Sequence, residues 1–240
     1  MSSPRRSLRW LTQRPIAHRG LHDRREQRPE NTLAAFNAAA EAHYGIECDV
    51  HLSSDGIPIV FHDNELERLT GAGGRVRERT AAELGDLRIL GTAEWIPTLD
   101  ELLSLVAGRV PILIELKSIR GNDEGLAFSV VERLSDYPGP AAVMSFEPEL
   151  IAEVKAADSS LCRGLTAIGR WRTASAYMSV ARDLDVDFVS YAINDLPTPM
   201  PIIWRYLFGV PLICWTVRTP AQAKKAARWT DQITFEGFLP

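Results

Sequence analysis

The sequence predicts an α/β fold, a (β/α)8 TIM barrel with a small insertion after its second strand. Three observations predict it. Short apolar runs alternate with helix-like segments along all 240 residues. Several of those runs lack apolar–polar alternation, as parallel strands do when helices cover the sheet. A length of roughly 250 residues is also the usual size of such a barrel. Residues 1–240 therefore read as one barrel domain.

The first strand is expected at Ile16–His18. Asn31 and Thr32 offer caps for a helix over Leu33–Tyr44, which Gly45 would end. A second strand follows at Gly45–Val50. Residues 53–98 are too long for a barrel loop. Within them Asp55-Gly56 reads as a turn, Ile57–Phe61 as a short strand and Gly71–Gly74 as a bend. Thr80 and Glu83 form a capping-box pattern for a short helix, so the stretch reads as an insertion on the barrel rim. Thr98 and Glu101 repeat the box before Leu102, Leu103 and Val106, with Gly108 closing the turn. Further strands are expected at Pro111–Lys117, Ala141–Ser145, Leu161–Thr166, Asp187–Ser190, Leu212–Thr216 and Gln232–Phe235. Thr219-Pro220 places a cap and a first-turn proline ahead of a helix over Ala221–Arg228.

Composition narrows the function classes. With 45% apolar residues and 24% charged, wholesale disorder is excluded. A net charge of −4 gives no support to nucleic-acid binding. Cys48, Cys162 and Cys214 sit in apolar runs without C-x-x-C spacing, which predicts reduced core residues and a cytoplasmic location. Arg5, Arg6, Arg9 and Arg14 precede Pro15, but only Leu8, Trp10 and Leu11 are large and apolar there. An export signal needs an apolar stretch of about 7–15 residues, so this reads as a polar lead-in. Pro199–Val217 is the most apolar stretch, yet Arg205, Gly209 and Pro211 interrupt it. A spanning helix needs about 20 apolar residues, so no membrane insertion is expected.

All five histidines lie in the first 62 residues. His18 and His62 fall where strands are expected to end, the end that faces a barrel's active-site mouth. Imidazole is also the side chain best matched to proton transfer near neutral pH. Glu47 and Asp49 are two apart on a strand and share a face, while Cys48 between them points toward the helices. Glu115 and Lys117 stand in the same relation on the next strand. Three acids on adjacent strands suit a hard divalent cation, Mg²⁺ or Ca²⁺. The alternative is a buried Glu115–Lys117 ion pair, with Glu47 paired to Arg19. Arg19 and Lys117 add positive charge suited to phosphate oxygens. Together these groups describe phosphoryl chemistry, although a sugar or keto-acid enzyme would use similar ones. His22 and His43 are expected at the surface, and His51, read as alternating away from Asp49, outside the mouth. Glu30 and Asn31 are expected to organise the loop and helix start, and Trp204–Phe208 to pack a helix. Asp63 either orients His62 or caps a turn.

The ordered motifs resemble the glycerophosphodiester phosphodiesterase family. They are IAHRG at 16–20, RPENTLAAF at 28–36, IECDV at 46–50, DGIPIVFHD at 55–63, LERLTGAGG at 66–74, IPTLDELL at 96–103 and IELK at 114–117. The likeness continues through VMSFEPELI at 143–151 and CWTV at 214–217. The resemblance implies a (β/α)8 barrel with an insertion after the second strand. It implies that Glu47, Asp49 and Glu115 bind the divalent ion, that His18 and His62 act as general base and acid, and that Arg19 and Lys117 hold the phosphate. Trp215 would lie at the pocket mouth against the substrate's carbon skeleton. The implied reaction cleaves a small glycerophosphodiester to glycerol 3-phosphate and an alcohol, by attack of water or of the adjacent glycerol hydroxyl. Two places depart from the pattern. Arg218 follows CWTV where the family has Asn, and Phe235 and Glu236 stand where it has T-D-x-P. Both are expected to lie away from metal binding and proton transfer and to affect headgroup preference. The competing functions are phospholipase D-like or cyclising lyase activity on intact lipid, with residues 200–210 as an apolar rim, and a non-catalytic phosphate-binding barrel.

Overall fold

Eight parallel strands pair in a closed circuit, and helices run between them on the outside. The computed structural model describes residues 8–118, 124–169 and 179–240, so Arg5 and Arg6 of the lead-in lie outside the described residues. The strands are β1 (Ile16–Ala17), β2 (Gly45–Leu52), β3 (Pro58–Val60), β4 (Ile112–Leu116), β5 (Ala141–Ser145), β6 (Cys162–Ala167), β7 (Phe188–Ala192), β8 (Leu212–Val217) and β9 (Gln232–Phe235). Their order is β1-β9-β8-β7-β6-β5-β4-β2, and β1 pairs with β2 to close the barrel. The expected (β/α)8 architecture is therefore present. The extra strand, β3, runs antiparallel to the end of β2, with Val50 opposite Val60 and Leu52 opposite Pro58. That pairing extends β2 two residues beyond the expected Val50.

Capping chemistry sets the helix starts. Thr98 and Thr80 accept from the backbone N–H of Glu101 and Glu83, completing both capping boxes ahead of helices Leu99–Val106 and Ala81–Gly85. Thr219 caps Pro220–Ala226. Thr32 alone caps Leu33–Glu41, and Asn31 turns elsewhere. That helix ends three residues before the expected Tyr44. Gly45 does not terminate it but opens β2, where a Cβ would stand 3.2 Å from Ile16.

Alternation along each strand divides the apolar groups into two layers. Ile46, Cys48, Val50, Ile112, Ile114 and Val143 face the helices in the main core. Ile16, Leu113, Ala142, Cys162, Phe188 and Ile213 point inward instead, and Leu11 of the helix Arg9–Thr12 packs against them. The helix Arg9–Thr12 thus plugs the barrel floor, leaving polar inward positions to the opposite end. The insertion buries its own cluster, including Ile59, Phe61, Leu66, Leu69 and Val76. The three cysteines are free and buried. Among the described residues no helix is long and apolar enough to cross a membrane.

Helix Pro199–Phe208 corrects one expectation. Trp204 is buried and the Phe208 ring packs on it, centroids 5.4 Å apart, as foreseen, but Tyr206, Leu207 and the outer face of Phe208 are exposed. Arg205 binds Asp231, just before β9 begins, so this exposed end lies at the strands' amino ends.

Interior packing is tightest at Gly164 on β6, where an added Cβ would come 2.4 Å from the Phe188 ring. Phe188 is fully buried and has nowhere to retreat. Gly164→Ala should therefore destabilise the protein by about 1–3 kcal/mol, through overpacking. The urea unfolding midpoint should fall with the slope unchanged; an unaltered midpoint would contradict this packing.

Candidate active site

The carboxyl ends of the strands open onto a cavity of about 310 Å³, lined among others by His18, Arg19, Glu47, His62, Glu115, Lys117, Trp215 and Arg218. Seven of the eight residues singled out from the sequence line it, and the eighth, Asp49, is paired with the lining residues Arg19 and Lys117.

Three carboxylates form the base of the site. The β2–β4 register places Asp49 beside Glu115, and Glu47 is two residues earlier on the same face of β2. One oxygen from each of the three lies within 4.8 Å of the others, and all three side chains are buried. Burial, together with the charges of Asp49 and Glu115, pushes the Glu47 carboxyl well above the ordinary carboxylate range. Burial likewise raises Glu115. Burial also opposes ionisation of Asp49, but Lys117 and Arg19 outweigh it and hold that carboxyl low. An all-oxygen donor set from two rigid strands fits a hard divalent cation such as Mg²⁺ or Ca²⁺.

Cations surround the acids. Lys117 Nζ lies 2.9 Å from Asp49 and 2.5 Å from Glu115. Arg19 Nε lies 3.2 Å from Asp49, NH1 donates to Glu30 at 2.7 Å, and the backbone N–H donates to Glu47 at 2.9 Å. Lys117 therefore makes the Glu115 pair foreseen as an alternative, while the Arg19 guanidinium turns to Asp49 and Glu30 rather than Glu47. Arg19 holds this position with φ 54°, left-handed backbone that costs a side-chain-bearing residue of order 1–3 kcal/mol. Gly20 must be glycine, because φ is 77° and a Cβ would stand 2.8 Å from the Ala35 carbonyl carbon. Asn31 donates to Asp49 Oδ2 at 2.8 Å. It and Glu30 thus organise the site as well as the loop.

The two histidines approach from different supports. His18 follows β1 and is held by its N–H donating to Phe235 O. His62 follows β3, so the antiparallel strand of the insertion, not a barrel strand, delivers it to the mouth. Each ring has Nδ1 on a carboxylate: His18 on Glu236 at 2.5 Å, His62 on Asp63 at 2.6 Å. His18 Nε2 lies 3.9 Å from Glu47. Burial lowers the pKa of both rings, against the pull of neighbouring carboxylates. Arg68, from the insertion, binds both Asp63 and Glu30, joining the supports of His62 and Arg19. Trp215 packs edge-on against Phe146, ring centroids 5.4 Å apart, and together they form an apolar wall.

Three expectations are corrected here. His51 is buried, its Nε2 3.1 Å from His62 O, and burial takes its pKa down to about 4. Its spacing of two from Asp49 already placed it on the inward face. His22 is half-buried, 3.6 Å from Glu236, whereas His43 is exposed as expected. Glu236 lies against the His18 ring, not away from the candidate proton-transfer residues as expected. The signal available for it was topological, since the residue after the last strand must meet the residue after the first once a barrel closes. Arg68 lies within the LERLTGAGG motif, but nothing in the sequence assigned it a role.

A family model described as the glycerophosphoryl diester phosphodiesterase family matches residues 18–233. Glycerophosphodiester phosphodiesterase 1 of Mus musculus is 33% identical over 180 residues, 68% of this chain and 52% of that protein. The chain thus spans about half the length of the curated relatives it matches. A phosphodiesterase of Oleispira antarctica, solved in complex with the product sn-glycerol-3-phosphate, is 27% identical with TM-score 0.83, covering 92% of both chains. A glycerophosphodiester phosphodiesterase of Thermotoga maritima is 25% identical with TM-score 0.77, covering 92% of this chain and 94% of that one. With residues of the IAHRG, IECDV, DGIPIVFHD and IELK motifs gathered around one cavity and the family model spanning nearly the whole barrel, this chain belongs to the glycerophosphoryl diester phosphodiesterase family.

Proposed function

We propose that residues 1–240 act as one barrel domain that hydrolyses water-soluble glycerophosphodiesters to glycerol 3-phosphate and an alcohol, with His18 and His62 as the proton-transfer pair. The observation that carries this reading is the placement of two carboxylate-backed imidazoles beside a buried three-carboxylate cluster in one cavity. The product held by the Oleispira antarctica relative supports the substrate class.

Glu47, Asp49 and Glu115 would hold one divalent cation, Mg²⁺ or Ca²⁺, whose charge offsets that developing on the phosphoryl oxygens. Arg19 and Lys117 face the same cavity and orient the phosphate, the guanidinium through its remaining N–H groups. Trp215 and Phe146 exclude water and bear on the glycerol carbons. One imidazole takes the proton of the attacking hydroxyl and the other returns a proton to the leaving alcohol. The attacker is water or the glycerol hydroxyl next to the phosphate, the latter passing through a cyclic phosphate. The three buried free cysteines favour a reducing, cytoplasmic setting. Lipid-surface action is disfavoured because the exposed apolar end of Pro199–Phe208 lies at the barrel's other end from the cavity.

Glycerol 3-phosphate release from glycerophosphocholine, glycerophosphoethanolamine and glycerophosphoglycerol tests the reading. Release should depend on Mg²⁺ or Ca²⁺ and stop in EDTA. His18→Ala and His62→Ala should each lower kcat by about 10²–10⁴-fold, the usual worth of a positioned acid or base. Normal turnover in both variants, or release indifferent to EDTA, would sink it.

The cation site has an independent test. Glu47→Gln removes one of three crowded acidic groups while keeping the side chain's shape. In EDTA its thermal midpoint should equal or exceed that of the parent. The rise in midpoint on adding Mg²⁺ or Ca²⁺ should be lost. A variant that keeps the full rise overturns the ligand assignment.

A further inference from the structure

We propose that Arg218 and Glu236 form a positioning pair for His18, fixing its ring so that Nδ1 is occupied by carboxylate and Nε2 faces the acid cluster. The proposal rests on the reading of His18 as a proton-transfer residue. It concerns the two positions where the sequence departs from the family pattern, and these prove to be in contact.

The three residues follow the carboxyl ends of three neighbouring strands. Arg218 follows β8, Glu236 follows β9 and His18 follows β1. Backbone bonds pin all three: Glu236 N–H donates to Val217 O at 3.1 Å, and His18 N–H to Phe235 O at 2.9 Å. Arg218 N–H donates to Gln222 Oε1 at 2.7 Å, on the helix that Thr219 caps. The side chains therefore start from fixed points.

Glu236 divides its two oxygens between two hydrogen-bond partners, with His22 Nε2 standing 3.6 Å from Oε2. Oε2 meets His18 Nδ1 at 2.5 Å, and Oε1 accepts from Arg218 Nε at 2.6 Å. A carboxylate on a flexible stem would otherwise rotate and exchange its partner for water. With one oxygen held by a guanidinium, the other is directed at the ring. Exposure falls along the chain, from 56% for the Arg218 side chain to 18% for Glu236 and 12% for His18. The outer contact alone is thus worth little in stability, and its effect is on orientation.

A carboxylate at Nδ1 selects the tautomer with the proton on Nδ1, which leaves the Nε2 lone pair toward the cavity. The second histidine is supported in the same way. Asp63 gives Oδ1 to His62 Nδ1 and Oδ2 to Arg68 Nε. Two rings supported by separate segments thus share an Arg–carboxylate–imidazole arrangement. Arg218 also lines the cavity, so direct substrate contact is the competing role that the test must separate.

The experiment compares parent, Glu236→Gln, Arg218→Gln and the double variant in two readouts. The first is the ¹⁵N NMR signature of the His18 ring in EDTA, which needs neither turnover nor cation. The parent should show the Nδ1–H tautomer, and Glu236→Gln should redistribute the proton toward Nε2. The second is steady-state release of glycerol 3-phosphate. Glu236→Gln should lower kcat on the order of 10–100-fold, as loss of an outer hydrogen-bonding partner does, with KM nearly unchanged. Arg218→Gln should lower kcat by a smaller factor, and the double variant should be no worse than Glu236→Gln. Glu236→Asp, which restores a carboxylate, should recover part of the loss. An unchanged tautomer in Glu236→Gln overturns the proposal. So does an Arg218→Gln variant whose defect is confined to KM, or a double variant whose losses multiply. A parent that releases no product from any glycerophosphodiester would instead refute the proposed function, while the NMR readout would still decide the positioning of His18.

Discussion

Three carboxylates held within 4.8 Å of one another inside a barrel are the constraint to which the rest of the site responds. Charges of one sign removed from water are costly unless they are paired or neutralised by a cation. The immediate response is Lys117 and Arg19, both ion-paired with Asp49 and each shared with a further acid. A second is Asn31, which donates to Asp49 from a fully buried position. The left-handed backbone at Arg19 belongs to the same response, since it lets one residue present both its N–H to Glu47 and its guanidinium to Asp49. Local strain is tolerated because the surrounding contacts over-determine the conformation.

The barrel makes this concentration of charge possible by separating two interiors. Apolar inward residues, with Leu11 packed beneath them, fill the floor, and polar ones occupy the strand ends above. The insertion adds what parallel strands alone do not supply. Through β3 it brings His62 across from the end of β2, and through Arg68 it ties Asp63 to Glu30. Its own buried cluster keeps these attachments rigid. The arrangement delivers proton-transfer groups from two directions, His18 from the barrel seam and His62 from the inserted hairpin.

Much of this was legible from local chemistry. Capping boxes at Thr80 and Thr98 and the Thr219-Pro220 start are satisfied within a few residues, so their signals survive folding intact. The helix after Thr32 is shorter than its pattern suggests because Gly45 resembles a terminator, while its real constraint is close approach to Ile16 on the neighbouring strand. The exposed end of Pro199–Phe208 has no local mark either, because an apolar run does not reveal which of its residues the barrel covers. His51 differs from these, since its period-two relation to Asp49 was present in the sequence.

The sequence by itself determined the alternation of strands and helices, the inward face shared by Glu47 and Asp49, and the common face of Glu115 and Lys117. Each depends only on spacing within one element. The tertiary structure alone decided that Glu236 supports His18, across 218 positions, and that Arg218 supports Glu236. The physical reason is closure: β9 hydrogen-bonds to both β1 and β8, so three strand ends distant in the chain become neighbours only when the barrel is complete.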